Sequence, residues 1–495
     1  MQRRSLLKLT AGAAVAGIAL RAPAAAAAGE GNDPVKWFVT TASKPWQRAA
    51  APALAPLIAS PLALEATIAL GAPQQTIDGF GGAFSELGWQ ALSGLRPDRC
   101  DAALDALFGS ELGSGAALTM ARTPMGASDF ARKWYSYAET PGDFPLDHFS
   151  VANDRDTLIP YIRAALDVRP SLRVWGSPWS PPTWMKRNGH YAAAPAWPGQ
   201  PSNGIRPDQL GREGEDMFIL EPRYLDAYAR YFRRYVEAYR DEGIRISAVM
   251  PQNEFNSPQP FPSCCWTPKG LSQFLPHLGR EMEKVDVDIL LGTLERAKPG
   301  LIDEVLADPE AGPLVKGVGV QWAGKGALSA IHARHPQLPI WGSEQECGRG
   351  TNDWHYARYG WDLMKTYFRA GTTAWHYWNM VLPKANISTW GWPQNSLIHT
   401  DGAGDFRLTH DYWVLRHLSA FVKPGARFIP APSFVGYENQ LAFRNPDGSL
   451  VLVVQNALSD PLPMTFGIGK QQLAVTLPAD SFSTITIDGA LLGAA

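Results

Sequence analysis

Residues 223–254 read RYLDAYARYFRRYVEAYRDEGIRISAVMPQNE, a helical pattern followed by a short apolar run. In the first half, apolar and aromatic residues recur at three- and four-residue steps, at Leu225, Tyr228, Phe232, Tyr235 and Tyr239. That spacing puts them on one face of a helix, the face that packs on a sheet. Residues 246–250 then have the length and composition of a buried strand. The stretch therefore predicts a helix followed by a strand that leads to Glu254.

The same alternation of strand-like runs and helical patterns recurs along the chain. The runs are residues 79–84, 118–122, 172–176, 246–250, 288–292, 317–321, 339–342 and 373–378. Eight strand–helix alternations predict an α/β protein with a closed parallel (β/α)8 barrel, a TIM barrel, over residues 79–407. An open doubly wound sheet is the alternative, but it usually carries a Gly-rich phosphate turn after its first strand, and Gly79-Phe-Gly-Gly lacks that spacing.

The pattern changes after residue 407 to short strands separated by turn signals. The strand-like runs are residues 440–444, 450–454, 473–477 and 482–487, with the turn Asn445-Pro-Asp-Gly448 between the first two. They predict antiparallel hairpins and an attached all-β sandwich domain over residues 408–495. We place residues 63–78 in the same domain, because residues 64–70 form one more strand-like run that could pair with the C-terminal sheet. The Ala-Pro-rich residues 29–62 are interpreted as a linker.

The first 28 residues have the order of a targeting segment. Arg3-Arg4 is followed by an apolar stretch, residues 9–20, and by small residues at 24–28. This order predicts a twin-arginine signal peptide over residues 1–28, with a mature chain beginning near Gly29. A buried N-terminal helix is the alternative and is less consistent with that order. The expected location is the periplasm of a bacterium or the outside of the cell.

Composition excludes several classes of protein. The 495-residue chain is 45% hydrophobic and 19% charged, with a formal net charge of −2, which is typical of a folded globular protein. Because it lacks long Lys/Arg blocks, nucleic acid is not an expected partner. After the first 30 residues no apolar run reaches membrane-spanning length, so no transmembrane segment is expected in the mature chain. The sequence does not determine the oligomeric state.

Cysteine and histidine give no sign of a metal centre. The four cysteines are too few for a disulfide framework in a chain of this length, and adjacent Cys264 and Cys265 lack metal-ligand spacing. We expect mostly free or buried thiols. His332 and His335 are spaced like ligands, but no carboxylate follows them, so no metal site is predicted.

Two glutamates close apolar runs in unlike settings. Glu254 follows the fourth predicted strand in Val249-Met-Pro-Gln-Asn-Glu254, and Glu344 follows the seventh in Ile340-Trp-Gly-Ser-Glu344. In a (β/α)8 barrel the reactive groups lie at the carboxyl ends of the strands. Cleaving an acetal needs one carboxylic acid that protonates the leaving oxygen and one carboxylate that attacks or stabilises the sugar. The pair therefore indicates glycoside hydrolysis.

Other polar residues at strand ends fit the same chemistry. Asn253 could hydrogen-bond a sugar hydroxyl next to the reacting carbon, and Asp129 could bind sugar hydroxyls. Arg122 either positions the attacking carboxylate or makes a purely structural ion pair. The loop Trp390-Gly-Trp-Pro-Gln-Asn395 follows the eighth strand, where its indoles form a wall of the substrate cleft or simply pack.

Seven motifs occur in order over residues 75–430, and together they resemble glycoside hydrolase family 30, the glucosylceramidase-like retaining β-glycosidases. They are Gly79-Phe-Gly-Gly-Ala-Phe84, Arg122-Thr-Pro-Met-Gly126, Ser128-Asp-Phe130, Ser177-Pro-Trp-Ser-Pro-Pro-Thr-Trp-Met-Lys186, Gln252-Asn-Glu254, Ser343-Glu344 and Trp375-His-Tyr-Trp-Asn379.

The resemblance implies a (β/α)8 barrel with a β-sandwich built from strands on both sides of the barrel in sequence. It implies that Glu254 is the acid/base, that Glu344 is the covalent nucleophile positioned by Arg122, and that no cofactor is needed. The two carboxyl groups should lie about 5 to 5.5 Å apart, the separation in retaining enzymes. The partner is then a β-linked glycoside or oligosaccharide. Its sugar would contact a further set of residues, Asp129, Trp179, Asn253, Trp322, Trp378 and Asn379.

The sequence departs from the family pattern at three places. Phe255 stands where Pro or a polar residue often follows Asn-Glu. Gln321-Trp322-Ala323 stands where glucosylceramidases commonly have His-Trp-Tyr, which puts ceramide glycosides in doubt. Glu346 lies two residues after Glu344, so on an extended strand both would point to the same side, and Glu346 would be a supporting or acceptor-site residue.

The expected activity is thus that of an exported retaining β-glycosidase acting on β-glucosides. An endo-β-1,6-glucanase, a β-xylosidase or a β-fucosidase would use the same machinery. A non-catalytic carbohydrate-binding protein with the same fold is a less favoured alternative, because both carboxylates are present.

Overall fold

The computed structural model describes residues 33–58, 60, 64–109, 115–385, 387–433 and 435–492. The predicted signal peptide, residues 1–28, lies outside the described residues. In the part that is described, four short strands precede the barrel: β1 (Val35–Thr41), β2 (Gln47–Ala49), β3 (Leu54–Pro56) and β4 (Ala66–Ile68).

Eight parallel strands then close into a barrel in chain order, with the last pairing with the first. They are β5 (Gly79–Ala83), β6 (Met120–Met125), β7 (Arg173–Pro178), β8 (Ile246–Val249), β9 (Asp288–Leu294), β10 (Val315–Gln321), β11 (Ile340–Glu344) and β12 (Ala374–Asn379). Each of the eight predicted runs contains or overlaps one of these strands, and the predicted (β/α)8 barrel is confirmed.

Helices follow the barrel strands and cover the outside of the barrel. They are α1 (Glu86–Ser93), α2 (Pro97–Phe108), α3 (Leu158–Val168), α4 (Pro222–Asp241), α5 (Pro268–Glu283), α6 (Gly300–Leu306), α7 (Leu328–Arg334), α8 (Trp354–Arg369) and α9 (His410–Ser419). In α4 the aromatic stripe predicted from residues 225–239 is buried, as expected for a helix packed on the barrel.

Large side chains fill the interior of the barrel. Trp175 on β7 donates from Nε1 to Nε2 of His376 on β12 at 3.0 Å, and both side chains are buried. Room for them comes from β5, which is rich in glycine: a Cβ added at Gly81 would lie 2.4 Å from the carbonyl oxygen of Met120 and 2.7 Å from the His376 ring. The barrel is therefore a packed core, and a ligand can enter only at its ends.

The chain after the barrel adds a small three-stranded sheet of β13 (Val381–Leu382), β14 (Ile398–Thr400) and β15 (Phe406–Leu408), and then the remaining strands of the sandwich. These are β16 (Arg427–Ile429), β17 (Gln440–Arg444), β18 (Leu450–Asn456), β19 (Leu462–Ile468), β20 (Gln471–Leu477) and β21 (Ser481–Ile487). One sheet has the order β16-β17-β18-β21-β1-β2, and the other has the order β3-β20-β19-β4.

Strand β4 pairs in parallel with β19, with Ala66 opposite Phe466. This pairing agrees with the expectation that residues 64–70 join the C-terminal sheet. The linker interpretation of residues 29–62 differs from the structure, because β1 pairs with β21 over seven residues and β3 pairs with β20. The strand signal was present in Val35-Lys-Trp-Phe-Val-Thr-Thr41, a run rich in β-branched and aromatic residues.

Residues 410–419, which the sequence analysis assigns to the sandwich domain, form helix α9. His417 of this helix is buried and lies between two threonines of the sandwich sheet, with Nδ1 2.8 Å from Oγ1 of Thr484 and Nε2 2.9 Å from Oγ1 of Thr40. Thr40 belongs to β1, so this strand, missed at the sequence level, holds α9 against the sheet.

Removing β1 should therefore destabilise the sandwich. A chain that starts at Ala42 loses the buried side chains Val35, Phe38 and Val39, which costs roughly 5 kcal/mol by apolar burial alone. Calorimetric unfolding should show a lower midpoint for this chain than for one that starts at Asp33. Equal midpoints for the two chains would show that β1 contributes nothing to the fold.

Candidate active site

A cavity of about 170 Å3 lies at the carboxyl ends of the barrel strands. Its lining consists of carboxylates, amides, an arginine and aromatic rings: Asp129, Trp179, Trp197, Asn253, Glu254, Gln259, Phe261, Glu295, Arg296, Trp322, Glu344, Trp392 and Gln394. Both glutamates singled out in the sequence are part of it, and each is only 5% exposed. The cavity therefore holds both glutamates as nearly buried carboxyl groups against aromatic walls.

Glu344 is the last residue of β11 and accepts two short hydrogen bonds. Nη1 of Arg122 lies 2.7 Å from its Oε2, and Nε1 of Trp322 lies 2.7 Å from its Oε1. Burial raises the pKa of Glu344, and the charge of Arg122 and the donors from Trp322 and Arg122 offset that rise only in part. Each carboxylate oxygen thus has a fixed donor that favours the ionised form.

Arg122 on β6 is completely buried and fully engaged. Its Nε and Nη2 donate to Oγ of Ser177 at 3.1 and 2.8 Å, and Nη2 also donates to Oδ1 of Asn253 at 2.7 Å. The guanidinium carbon lies 4.3 Å from the ring centroid of Trp179 and 5.1 Å from that of Trp175. The ion pair with Glu344 is present at 2.7 Å, and both alternatives left open by the sequence require it.

Glu254 follows β8 in a different environment. Its backbone is left-handed, with φ of 49°, and its amide donates to Oγ1 of Thr293 on β9 at 2.7 Å. Gln321 donates from Nε2 to Oε1 of Glu254 at 3.3 Å, while Oε2 is buried without a hydrogen-bond partner. Burial raises the pKa of Glu254 well above its usual value, and the negative charges of Glu344, Glu295 and Asp129 raise it further. These surroundings therefore favour the protonated form of Glu254.

Gln321, the last residue of β10, lies between the two carboxyl groups. Its Nε2 also donates to Oδ1 of Asn253 at 3.1 Å, and its Oε1 accepts from Oγ of Ser343 at 3.1 Å. The amide orientation is fixed by these contacts, so its NH2 group faces Glu254. The sequence analysis noted this position only as a departure from a family pattern.

Trp179, backed by a second indole, and a further carboxyl group also line the cavity. The rings of Trp179 and Trp378 stack at 5.3 Å with an interplanar angle of 26°. Burial and the nearby charge of Glu344 raise the pKa of Asp129 to about 8, although Arg122 and a hydrogen bond from Trp378 oppose the shift. Oδ1 of Asp129 is buried and lacks a partner, so a polar ligand can satisfy it.

The fold brings together the nine site residues named from the sequence, but some line the cavity and others lie behind its lining. Trp378 and Asn379 lie behind the lining: Trp378 supports Trp179, and Asn379 donates from Nδ2 to Oε1 of Gln394 at 2.8 Å. Trp322, which the sequence analysis expects to contact the substrate, lines the cavity and donates a hydrogen bond to Glu344.

Glu346 is not on the side expected from strand alternation. Strand β11 ends at Glu344, so the alternation of side chains along a strand does not apply to Glu346. Its Oε1 instead accepts from Nζ of Lys325 at 2.5 Å, and Glu346 is absent from the cavity lining. Of the loop after the eighth strand, Trp392 lines the cavity, and Trp390 is buried behind it against Phe261.

Several lining residues were not found from the sequence. Glu295 and Arg296 follow β9, and their side chains pair at 3.1 Å, so the strand-end rule could have found them. Trp197 lies in the long loop after β7, and Gln259 and Phe261 lie in the loop after β8. No local pattern in the sequence marks these three residues, because only the folding of the loops brings them to the cavity.

No group of three His, Cys, Asp or Glu side chains able to hold a metal ion occurs among the described residues. All four cysteines are free, as expected. Within the same described residues, no helix is both long enough and apolar enough to cross a membrane.

The glycosyl hydrolase family 30 TIM-barrel domain matches residues 77–422, and the β-sandwich domain of that family matches residues 438–485. The chain therefore belongs to glycosyl hydrolase family 30, a family of glycoside hydrolases, as the sequence motifs indicated.

The relatives of the chain include glucosylceramidases and endo-1,6-β-D-glucanases. The chain is 28% identical over 418 residues to the lysosomal acid glucosylceramidase of Mus musculus, covering 79% of this chain and 77% of the relative. It is 25% identical over 439 residues to an endo-1,6-β-D-glucanase of Aspergillus fumigatus, covering 84% of this chain and 86% of the relative. Among solved structures, SrfJ from Salmonella typhimurium superposes with a TM-score of 0.80 at 21% identity over 91% of this chain and 99% of that chain, which shows the fold.

Proposed function

We propose that the chain is a retaining β-glycosidase that hydrolyses β-glucosides by double displacement, with Glu344 as nucleophile and Glu254 as acid/base. The observation that carries this proposal is the difference between the two carboxyl groups of one cavity. Glu344 accepts from Arg122 and Trp322, whereas Glu254 has one unpartnered buried oxygen and faces other carboxylates. The donors around Glu344 favour its ionised form, and the surroundings of Glu254 favour its protonated form, which is the division that acetal cleavage requires.

In the first step, Oε of ionised Glu344 attacks the anomeric carbon and the bond from that carbon to the leaving oxygen breaks. Glu254 gives its proton to that oxygen, so the alcohol leaves neutral. The attacking carboxylate does not have to reorient, because Arg122 and Trp322 fix both of its oxygens.

In the second step, water attacks the anomeric carbon and Glu344 leaves as a carboxylate. Glu254 must now accept a proton from that water. Its pKa falls once the charge of Glu344 is lost in the glycosyl ester, since that charge is one of the causes that raise it. The same electrostatic coupling thus makes Glu254 an acid in the first step and a base in the second.

The terminal sugar is expected to lie on Trp179, with its hydroxyls near Asp129 and Asn253. The indole gives an apolar surface for a sugar face, and Oδ1 of Asp129 lacks a partner that a hydroxyl can supply. Asn253 is held by Arg122 and Gln321, so it can bond the hydroxyl next to the reacting carbon.

A second candidate function is endo-β-1,6-glucan hydrolysis on the same machinery. The similarity to the Aspergillus fumigatus endo-1,6-β-D-glucanase supports it. β-Xylosides and β-fucosides would use the same two carboxyl groups. A carbohydrate-binding protein without activity is disfavoured, because the donors around Glu344 and the raised pKa of Glu254 serve catalysis and are not needed for binding alone.

Replacing the two carboxyl groups should separate their roles. Glu344→Gln should lower kcat by at least roughly 10^3-fold on every substrate, because the nucleophile is lost. Glu254→Ala should affect a 2,4-dinitrophenyl β-glucoside much less than a methyl β-glucoside, because only the poor leaving group needs a proton. The measurement is a panel of aryl and alkyl β-glycosides, with exposed Glu221→Gln as control and proton NMR to read product configuration. Full activity of Glu344→Gln, or an inverted product, would refute the assignment.

The hydrogen bond from Trp322 should set the acidic limb of the pH profile of kcat/KM. Trp322→Phe removes a donor to ionised Glu344, so the pKa of Glu344 rises and the acidic limb should move up by about one pH unit, the size of a charge-assisted bond of this kind. Trp392→Phe is the matched control, since Trp392 lines the same cavity without bonding Glu344. Equal shifts in both variants would argue against the role of the bond.

We also propose export of the folded chain by the twin-arginine route, which rests on residues 1–28 alone. Replacing Arg3 and Arg4 by lysine should retain the protein in the cytoplasm of a bacterial host, whereas the unchanged chain should reach the periplasm or the medium. Cell fractionation with an activity assay measures this, and unchanged export of the double variant would contradict it.

A further inference from the structure

A second cleft lies beside the catalytic cavity, behind the indoles of Trp322 and Trp392. These two side chains line both spaces, and their ring centroids are 5.9 Å apart. The cleft has a volume of about 390 Å3 and extends to the start of α8. Its other lining residues are Glu346, Gly348, Arg349, Thr351, Asp353, His355, Tyr356 and Tyr359.

The lining combines aromatic rings with charged and polar groups. Tyr356 and Tyr359 add two phenol rings, 5.5 Å apart, to the two indoles. Among the described residues that line the cleft, none is Leu, Ile, Val or Met. Aromatic rings such as these pack against the flat apolar face of a sugar, and the charged groups can hydrogen-bond the hydroxyls of that sugar. An alkyl chain would leave those charged groups desolvated and unpaired.

Glu346 supplies a specific acceptor in this cleft. Its Oε1 accepts a hydrogen bond from Nζ of Lys325, which also donates to the carbonyl oxygen of Trp322 at 3.3 Å. Its Oε2 is buried and has no hydrogen-bond partner. A buried carboxylate oxygen without a donor is costly, and a sugar hydroxyl would relieve that cost. Arg349 and His355 are exposed at the rim and add donors.

The remaining lining of the catalytic cavity has the same character. It includes Trp197, Phe261, Gln259, Arg296 and Gln394, again with no aliphatic side chain among the described lining residues. The cavity is therefore aromatic and polar, without the aliphatic surface that a lipid chain would need.

We propose that the cleft binds a further sugar unit of a β-linked oligosaccharide whose terminal sugar occupies the catalytic cavity, so that the natural leaving group is a saccharide. This inference rests on the proposed function for the bond that is cleaved. It assigns to Glu346 and Tyr359 a role in substrate choice, with no part in the chemical step.

The test compares one-sugar and three-sugar substrates in cleft variants. Tyr359→Ala and Glu346→Gln should each lower kcat/KM for a β-1,6- or β-1,4-linked glucotriose by about tenfold, the loss of one good ring or hydroxyl contact. Both should leave 4-nitrophenyl β-glucoside within about twofold, because that substrate does not reach the cleft. Tyr359→Phe is the matched control: it keeps the ring and should retain most of the activity on the triose.

Equal losses on the one-sugar and three-sugar substrates would show a structural role and overturn the inference. So would a selective loss on glucosylceramide in mixed micelles, which would make the cleft a lipid site. Calorimetric titration of the Glu344→Gln variant with the trioses, with and without Tyr359→Ala, reads binding without turnover. If no glycoside is hydrolysed by the unchanged chain, the proposed function fails, yet a loss of triose affinity with Tyr359→Ala would still support the cleft. Affinity that does not depend on Tyr359 would overturn it.

Discussion

The buried guanidinium of Arg122 is the interaction on which the active-site end of the barrel depends. Removing a charge from water costs several kcal/mol, and burial lowers the pKa of this arginine accordingly. The cost is offset because the guanidinium N–H groups donate hydrogen bonds to a set of four side chains, Glu344, Ser177, Asn253 and Gln321. Indole faces also pack against the guanidinium. Those partners come from four other strands or strand ends, so one side chain ties β6 to β7, β8, β10 and β11.

From this arrangement the electrostatic difference between the two glutamates follows. Arg122 is closest to Glu344 and stabilises its charge, and Glu344 then acts as a negative neighbour for Glu254 and Asp129. Burial raises the pKa values of all three carboxyl groups, and the Arg122 cation opposes that rise most directly at Glu344, with which it forms an ion pair. The left-handed backbone at Glu254 and Trp322 places both side chains at the mouth of the barrel, and such conformations persist only where the surroundings enforce them.

Local sequence patterns predicted the elements whose secondary structure is regular. The eight barrel runs, the helix stripe of α4 and the hairpins β17–β18 could be predicted, because their periodicity reflects burial on both faces or on one face. Strand β1 was missed, since Ala-Pro-rich flanks suggested a linker and its partner β21 lies more than 400 residues away. Trp197, Phe261 and Gln259 were missed for a related reason: long loops carry them to the cavity, and loop paths depend on contacts that no local pattern shows.

The sequence by itself determined which residues are available for chemistry: two glutamates at strand ends, an arginine two strands away from the first of them, and the aromatic residues that surround them. The tertiary structure decided how these groups act. It placed Glu346 in a separate cleft although it is two residues from Glu344, and it gave Trp322 a bond to the carboxylate. The physical reason is that pKa values and ligand contacts depend on distances between side chains from different strands, which only the closed barrel brings together.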